Sequence, residues 1–248
     1  MIGTTWVFKT KRDSENQILD YNARLCAQGF SQTLGVDFSK TFAPTGKLHS
    51  LRTLISRSSS KNLSFEQLDI KSSFFNALLE EDVYLSILQG LDRDNKTILK
   101  LKKEIYGLNQ APLEWCQRLS TWLKRIGFKI SRVDPCVFYQ VGSNPIRLLL
   151  HVDNIGVFGK NLEEFKICIE SEFSTKILGK ADLILGIKIF YHPNTITLSQ
   201  SHYIDSLLDL YGMTNCKSVA TPLVPNLCYE VRDFSMIIYG REGRYPSL

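Results

Sequence analysis

Apolar positions along this chain follow two periods, every second residue in short runs and every third or fourth in longer ones. Residues 5–8 and 25–27 read as the arms of a hairpin, with Asp13-Ser14-Glu15-Asn16 as turn-forming residues between them. A helix is expected over 50–60, capped by Ser50, with Leu51, Leu54 and Ile55 on one face. Residues 65–70 read as a buried strand running into a short helix at 72–79. Pro112 suits the first turn of a helix that reaches Ile126 and stops at Gly127, with Leu113, Cys116, Leu119, Trp122, Leu123 and Ile126 as its apolar stripe. Strands follow at 136–141 and 146–152, joined by Gly142-Ser143-Asn144-Pro145, and a third at 155–158 closes a second hairpin around Asp153-Asn154. A helix over 162–173, a strand over 183–190 and a helix over 200–210 come next, and residues after Pro225 lose all periodicity. Such irregular alternation favours an α+β fold over a doubly wound sheet.

Two acidic residues stand where this pattern exposes them. Asp69 ends the strand 65–70, and Asp153 sits at a hairpin tip between apolar runs. Two carboxylates converging on one sheet surface are the minimum for a Mg²⁺ site that handles phosphates. Each also has an ordinary structural reading: a helix cap for Asp69 and a tight-turn residue for Asp153.

Charge is uneven along the chain. Residues 1–60 carry eight Lys and Arg against four Asp and Glu, and residues 101–150 carry eight against three. Basic stretches around an acidic centre suit a polyanion held over carboxylate-bound metal; a solvated basic surface is the alternative. The six cysteines include no Cys-x-x-Cys pair and have mostly apolar neighbours, so free thiols in a reducing, intracellular compartment are expected. The four histidines lack zinc-like spacing, and no apolar run has the length of a membrane span.

A further set of motifs is more specific. Trp6-Val7-Phe8-Lys9, Tyr21-Asn22-Ala23-Arg24-Leu25, Thr41-Phe42-Ala43-Pro44, Gln67-Leu68-Asp69-Ile70-Lys71, Tyr106-Gly107-Leu108-Asn109-Gln110-Ala111-Pro112, Asp134-Pro135-Cys136, His151-Val152-Asp153-Asn154 and Leu185-Gly186-Ile187 occur in that order. In order and spacing they resemble the reverse transcriptase of copia-type LTR retrotransposons, over about residues 1–222, with 223–248 as a divergent tail. The resemblance implies a right-hand polymerase fold of fingers and palm with a partial or missing thumb. It implies an RNA-directed DNA polymerase with a two-metal Mg²⁺ site, Mn²⁺ able to substitute. Asp69 and Asp153 then correspond to metal-binding aspartates, and Asn154 to the third catalytic position. The Ile70 carbonyl would complete a metal shell. Arg24, Phe74, Tyr106, Gly107 and Gln110 would contact the incoming nucleotide; Phe74 would exclude a ribose 2′-hydroxyl. His151 would face the primer, and Leu185-Gly186-Ile187 would form a hairpin that grips it. For Arg24, Phe74 and Leu185-Gly186-Ile187 the alternatives remain a surface arginine, core packing and a plain buried strand.

Implied partners are an RNA or DNA template with primer, deoxynucleoside triphosphates, and the integrase and ribonuclease H segments of a Pol polyprotein. No membrane is expected, and the location would be cytoplasmic, in a virus-like particle, or nuclear. The chain departs from the family at four places: Asn154 and His151 in the Tyr-x-Asp-Asp turn, and Asn22 and Asn109 at usual lysine positions. Losing one of three carboxylates removes a large electrostatic contribution from a metal site. Impaired catalysis in a reading frame left by a truncated insertion is therefore expected, with a non-catalytic nucleic-acid-binding remnant as the alternative.

Overall fold

The computed structural model describes residues 1–12, 18–86, 98–192 and 195–219. The chain divides into two units, Met1–His202 and Tyr203–Leu248. The expected turn at 13–16 and the tail beyond 222 lie outside the described residues.

In the first unit, β1 (Thr4–Arg12) and β2 (Ile18–Ala27) form a two-stranded antiparallel ribbon, from Thr4 opposite Ala27 to Arg12 opposite Ile18. Both arms run longer than the apolar pattern suggests, because backbone pairing continues through Lys9 and Asn22 once the register is set. Helix α1 (Leu48–Lys61) begins before the expected Ser50, and no side chain caps it from Lys47, its N-cap residue. The acceptor comes from elsewhere in the chain. Asp134 takes the Lys47 N–H at 3.2 Å and the Ser50 hydroxyl at 2.5 Å.

Strand β3 (Ser64–Ile70) is followed by one 3₁₀ turn, Ser73–Asn76, where a helix to residue 79 was expected. Two causes stop propagation. Ser, Phe and Asn are mediocre helix formers, and the next residues join a backbone pairing: Glu104 N–H bonds Ala77 O at 3.2 Å and Leu78 bridges Lys103. Short strands β4 (Tyr84–Leu85) and β5 (Leu99–Lys100) then pair with each other.

Helix α2 (Ala111–Arg125) carries Pro112 in its first turn, as expected, and ends before Gly127, whose φ of +94° a side chain would resist. Its buried face is Ala111, Trp115, Leu119, Trp122 and Leu123. Trp115 belongs to that face although the expected stripe omitted it, while Leu113 and Cys116 are only half-buried.

Strands β6 (Lys129–Ile130), β7 (Val137–Tyr139), β8 (Arg147–His151) and β9 (Asn154–Gly159) extend the main sheet. After α3 (Glu163–Glu172), strand β10 (Thr175–Lys180), which the apolar pattern does not indicate, adds its far edge. The antiparallel order is β10-β3-β9-β8-β7-β6. The expected strand at 183–190 is instead a hairpin of β11 (Leu183–Ile184) and β12 (Ile187–His192), turned at Leu185 (φ +52°) and Gly186 (φ +74°). β13 (Thr195–Ser199) completes this smaller sheet.

Both faces of the main sheet are covered. One core holds Leu68, Ile70, Leu148, Leu150, Ile155 and Val157 against Trp115, Leu119, Trp122 and Leu123 of α2 and Phe165 and Ile169 of α3. The other holds Phe65, Leu149 and Phe158 against Leu51, Leu54 and Ile55 of α1 and Ile184, Ile187 and Ile189 of the smaller sheet. Strand alternation divides the residues this way. Phe65 and Phe158 stack across β3 and β9 with centroids 4.1 Å apart. The mixed α and β architecture agrees with the expected class. Helix α4 (Ser201–Leu210) follows β13, with the Ser199 hydroxyl accepting the Ser201 N–H at 3.2 Å. No described helix is long and apolar enough to cross a membrane.

Candidate active site

Strands β3 and β9 lie side by side with Asp69 opposite Asn154, so the end of one strand meets the start of the other. The two residues between β8 and β9 are Val152 and Asp153, which shifts the turn one residue ahead of the expected Asp153-Asn154 tip. Val152 has a φ of +57°, unusual for a β-branched residue. Trp115 stabilises that conformation by donating its indole N–H to the Val152 carbonyl at 2.7 Å. Ile70 N–H bonds the Asp153 carbonyl at 2.9 Å, which holds the turn against the end of β3.

A cavity of about 370 Å³ opens at this junction. Asp69, Ile70 and Asp153 form one wall, continued by Lys71, Ser72 and Phe75; residues 22–25 of β2 and Tyr106 form the other. The ribbon is fixed there by backbone contact. Ala27 N–H bonds Tyr106 O at 2.7 Å, and Gly107 (φ +93°) lies so close that a Cβ on it would meet Ala27 O at 2.1 Å. Glycine is required by both conformation and space. This docking sets the Arg24 guanidinium 5.0 Å from the Tyr106 ring centroid. Burial pushes the Tyr106 phenol up, and the neighbouring Asp153 and Asp69 add to that against the opposing pull of Arg24. Tyr106 therefore stays neutral.

The expected residues thus divide. Asp69, Ile70, Asp153, Arg24 and Tyr106 share the cavity wall. Phe74 does not line it; it is buried edge-to-face against Tyr106 at 4.8 Å, and its neighbour Phe75, 40% exposed, lines the cavity instead. Gln110 is also buried, taking a hydrogen bond from Gln32 at 2.9 Å and donating to Asp37 O at 3.3 Å, so it braces the 28–37 loop onto the start of α2. Asn109 works alongside it, donating to Gly29 O at 2.8 Å. His151 ends β8 opposite Asn154, half-buried. Leu185, Gly186 and Ile187 make the β11–β12 turn, with Ile187 in the second core. Lys71, Ser72 and Phe75 were missed from the sequence, although Phe75 adjoins a residue that was singled out.

Asn154 is engaged on both sides. Its Nδ2 donates to Asp153 Oδ1 at 2.9 Å, and its Oδ1 accepts from Gln67 Nε2 at 2.9 Å. Among the described residues no group of three or more His, Cys, Asp or Glu is placed to hold a metal ion. Two aspartates on one wall do fit a hard divalent ion that keeps waters or phosphate oxygens in the rest of its shell.

Comparison with known proteins gives the family. The profile of the family described as "Reverse transcriptase (RNA-dependent DNA polymerase)" matches residues 1–225, and the chain belongs to that family. More narrowly, it is a reverse transcriptase domain of the kind found in copia-type Pol polyproteins. It is 38% identical over 231 residues to the retrovirus-related Pol polyprotein from transposon TNT 1-94 of Nicotiana tabacum, covering 90% of this chain and 17% of that protein. The corresponding polyprotein from transposon RE1 of Arabidopsis thaliana is 34% identical over 232 residues, 91% of this chain and 16% of that protein. The Transposon Ty1-BL Gag-Pol polyprotein of Saccharomyces cerevisiae is 30% identical over 202 residues, 77% of this chain and 11% of that protein. The chain thus spans a small fraction of the length of each relative.

Proposed function

We propose that this chain is the fingers and palm of an RNA-directed DNA polymerase whose catalysis is impaired at Asn154. The observation that carries the reading is the convergence of Asp69, Asp153 and Arg24 on one cavity. The β1–β2 ribbon would be the fingers element and the six-stranded sheet the palm. Asp69 and Asp153 would hold Mg²⁺, with Mn²⁺ as a substitute, and the Ile70 carbonyl would add to its shell. Held there, the ion would supply Lewis-acid activation of a primer 3′-hydroxyl and charge neutralisation for the triphosphate.

The chain's own residues do the rest. Arg24, held over Tyr106, presents a guanidinium fork suited to bidentate contact with phosphate oxygens. Tyr106 and Phe75 present aromatic surface to the nucleotide, and Phe74 supports Tyr106 from behind. Gly107 and Gln110 fix the ribbon and the neighbouring loop, so their effect on nucleotide binding would be indirect. His151 and the Leu185-Gly186-Ile187 turn would face the primer. Template, primer and deoxynucleoside triphosphates are the proposed partners, along with the integrase and ribonuclease H segments of a Pol polyprotein.

The test is primer extension on an RNA template with Mg²⁺ or Mn²⁺. Wild-type chain should extend slowly or not at all, and Asn154→Asp should raise the rate at least about 100-fold, the usual scale for a preorganised charge in an active site. An unchanged rate in Asn154→Asp would place the defect elsewhere. The presence of only two carboxylates at the cavity among the described residues favours one further reading, a binder of primer–template without turnover. Binding without extension in both proteins would support it.

A further inference from the structure

Asn154 does more than leave out a charge. A carboxylate can only accept hydrogen bonds, so the amide edge that faces Asp153 must be the Nδ2 edge. That fixes Oδ1 on the opposite side, where Gln67 Nε2 donates to it. The chain of donors runs in one direction, Gln67 to Asn154 to Asp153. Gln67 is held in the sheet at 8% exposure, two residues before Asp69 on the same face of β3. Its orientation is therefore built into the strand pair.

We propose that Asn154 competes with the divalent cation for Asp153, and that Gln67 is the positioning residue that keeps it in the competing orientation. This rests on the reading that Asp69 and Asp153 hold the cation. A donor on Asp153 Oδ1 occupies lone-pair space a cation would use, and it places a partial positive charge beside the ion. With Gln67 in place, the Asn154 carbonyl is turned away from the cavity and cannot serve as a neutral oxygen ligand. Without Gln67 the amide is free to reverse as the cation binds, which withdraws the donor and supplies an acceptor.

The experiment is Mn²⁺ titration of the full chain at low ionic strength, read by loss of the free-ion electron paramagnetic resonance signal. Asp69→Asn should abolish binding at this site. Asn154→Ala should bind Mn²⁺ about tenfold more tightly and Gln67→Met about threefold, as expected when one charge-assisted hydrogen bond no longer competes. A purely structural role for Gln67 would weaken binding instead. Equal or weaker binding in Asn154→Ala and Gln67→Met, with Asp69→Asn still inactive, overturns the competition. Identical binding by wild type and Asp69→Asn overturns the site itself. Should Gln67→Met fail to fold, Mg²⁺ titration of the wild type followed by the side-chain amide resonances of Asn154 decides: a shift supports the competition, and none overturns it.

Discussion

At Glu104 a carboxyl group sits at 0% exposure, and neither of its oxygens accepts a hydrogen bond among the described residues. Burial above all, with the nearby Glu114 and Glu81 carboxylates adding to it, pushes its pKa from the ordinary 4.5 up to about 8. The sign of the consequence follows from linkage. Between 4.5 and about 8 the unfolded chain ionises this group while the folded chain keeps its proton. Stability therefore falls with rising pH across that window, and the loss is complete above it. Glu104→Met should flatten this slope and raise stability on the alkaline side by on the order of 3 kcal/mol. Urea denaturation of both proteins near pH 5 and pH 8.5 checks it. Nothing in the sequence around Glu104 signals this, because burial of a lone carboxyl depends on what packs over it. Asp69 and Asp153 were legible in advance, since a strand end and a turn expose a side chain whatever the rest of the fold does. The choice between Phe74 and Phe75 was not: it rests on the 3₁₀ turn that sends Phe74 under Tyr106.

Helix α1 shows how elements depend on distant residues. Its expected cap, Ser50, lies inside the helix and donates to Asp134, 84 residues away, while the same carboxylate takes the Lys47 N–H. Asp134 also receives the Cys136 N–H at 2.9 Å, which ties the start of β7 to the start of α1. Burial alone would raise its pKa, but these three hydrogen bonds outweigh burial and hold it below the ordinary 3.8. The stability it confers is full above that value and lost as pH falls through the lower, folded one. Asp134→Ala should cost roughly 2 kcal/mol near neutral pH, combining a lost cap with stranded donors, and should shrink the acid-induced part of unfolding. Thermal melts from pH 2.5 to 7 measure both effects. The motif containing Asp134 was visible in the sequence, and its job was not. Turns were legible where special residues mark them, as at Gly127; at Leu185-Gly186 periodicity alone reads one strand, and only the family resemblance indicated the hairpin.

On the scale of the first unit, the centre of the six-stranded sheet is covered on both faces, which is why β8 and β9 read as nearly continuous apolar runs. Basic residues concentrate in 1–60 and 101–150, the segments that contribute Arg24 and Tyr106 to the cavity wall. Affinity for a primer–template duplex should accordingly fall by at least about tenfold between 50 and 200 mM salt, as counterion release requires when several phosphates are neutralised. Fluorescence anisotropy with a labelled duplex would show it, and a salt-independent affinity would argue against phosphate contacts. The sequence by itself determined the central strands β3, β7, β8 and β9, the helix opened by Pro112, the two aspartates and the family, because periodicity, turn chemistry and ordered motifs are local properties. Only the tertiary structure decided that Arg24 and Tyr106 join those aspartates across a gap in sequence, that Asp134 caps α1, and that Asn154 points its amide at Asp153. Each of these depends on which strand lies beside which, and pairing between segments far apart in the chain is written in no single segment.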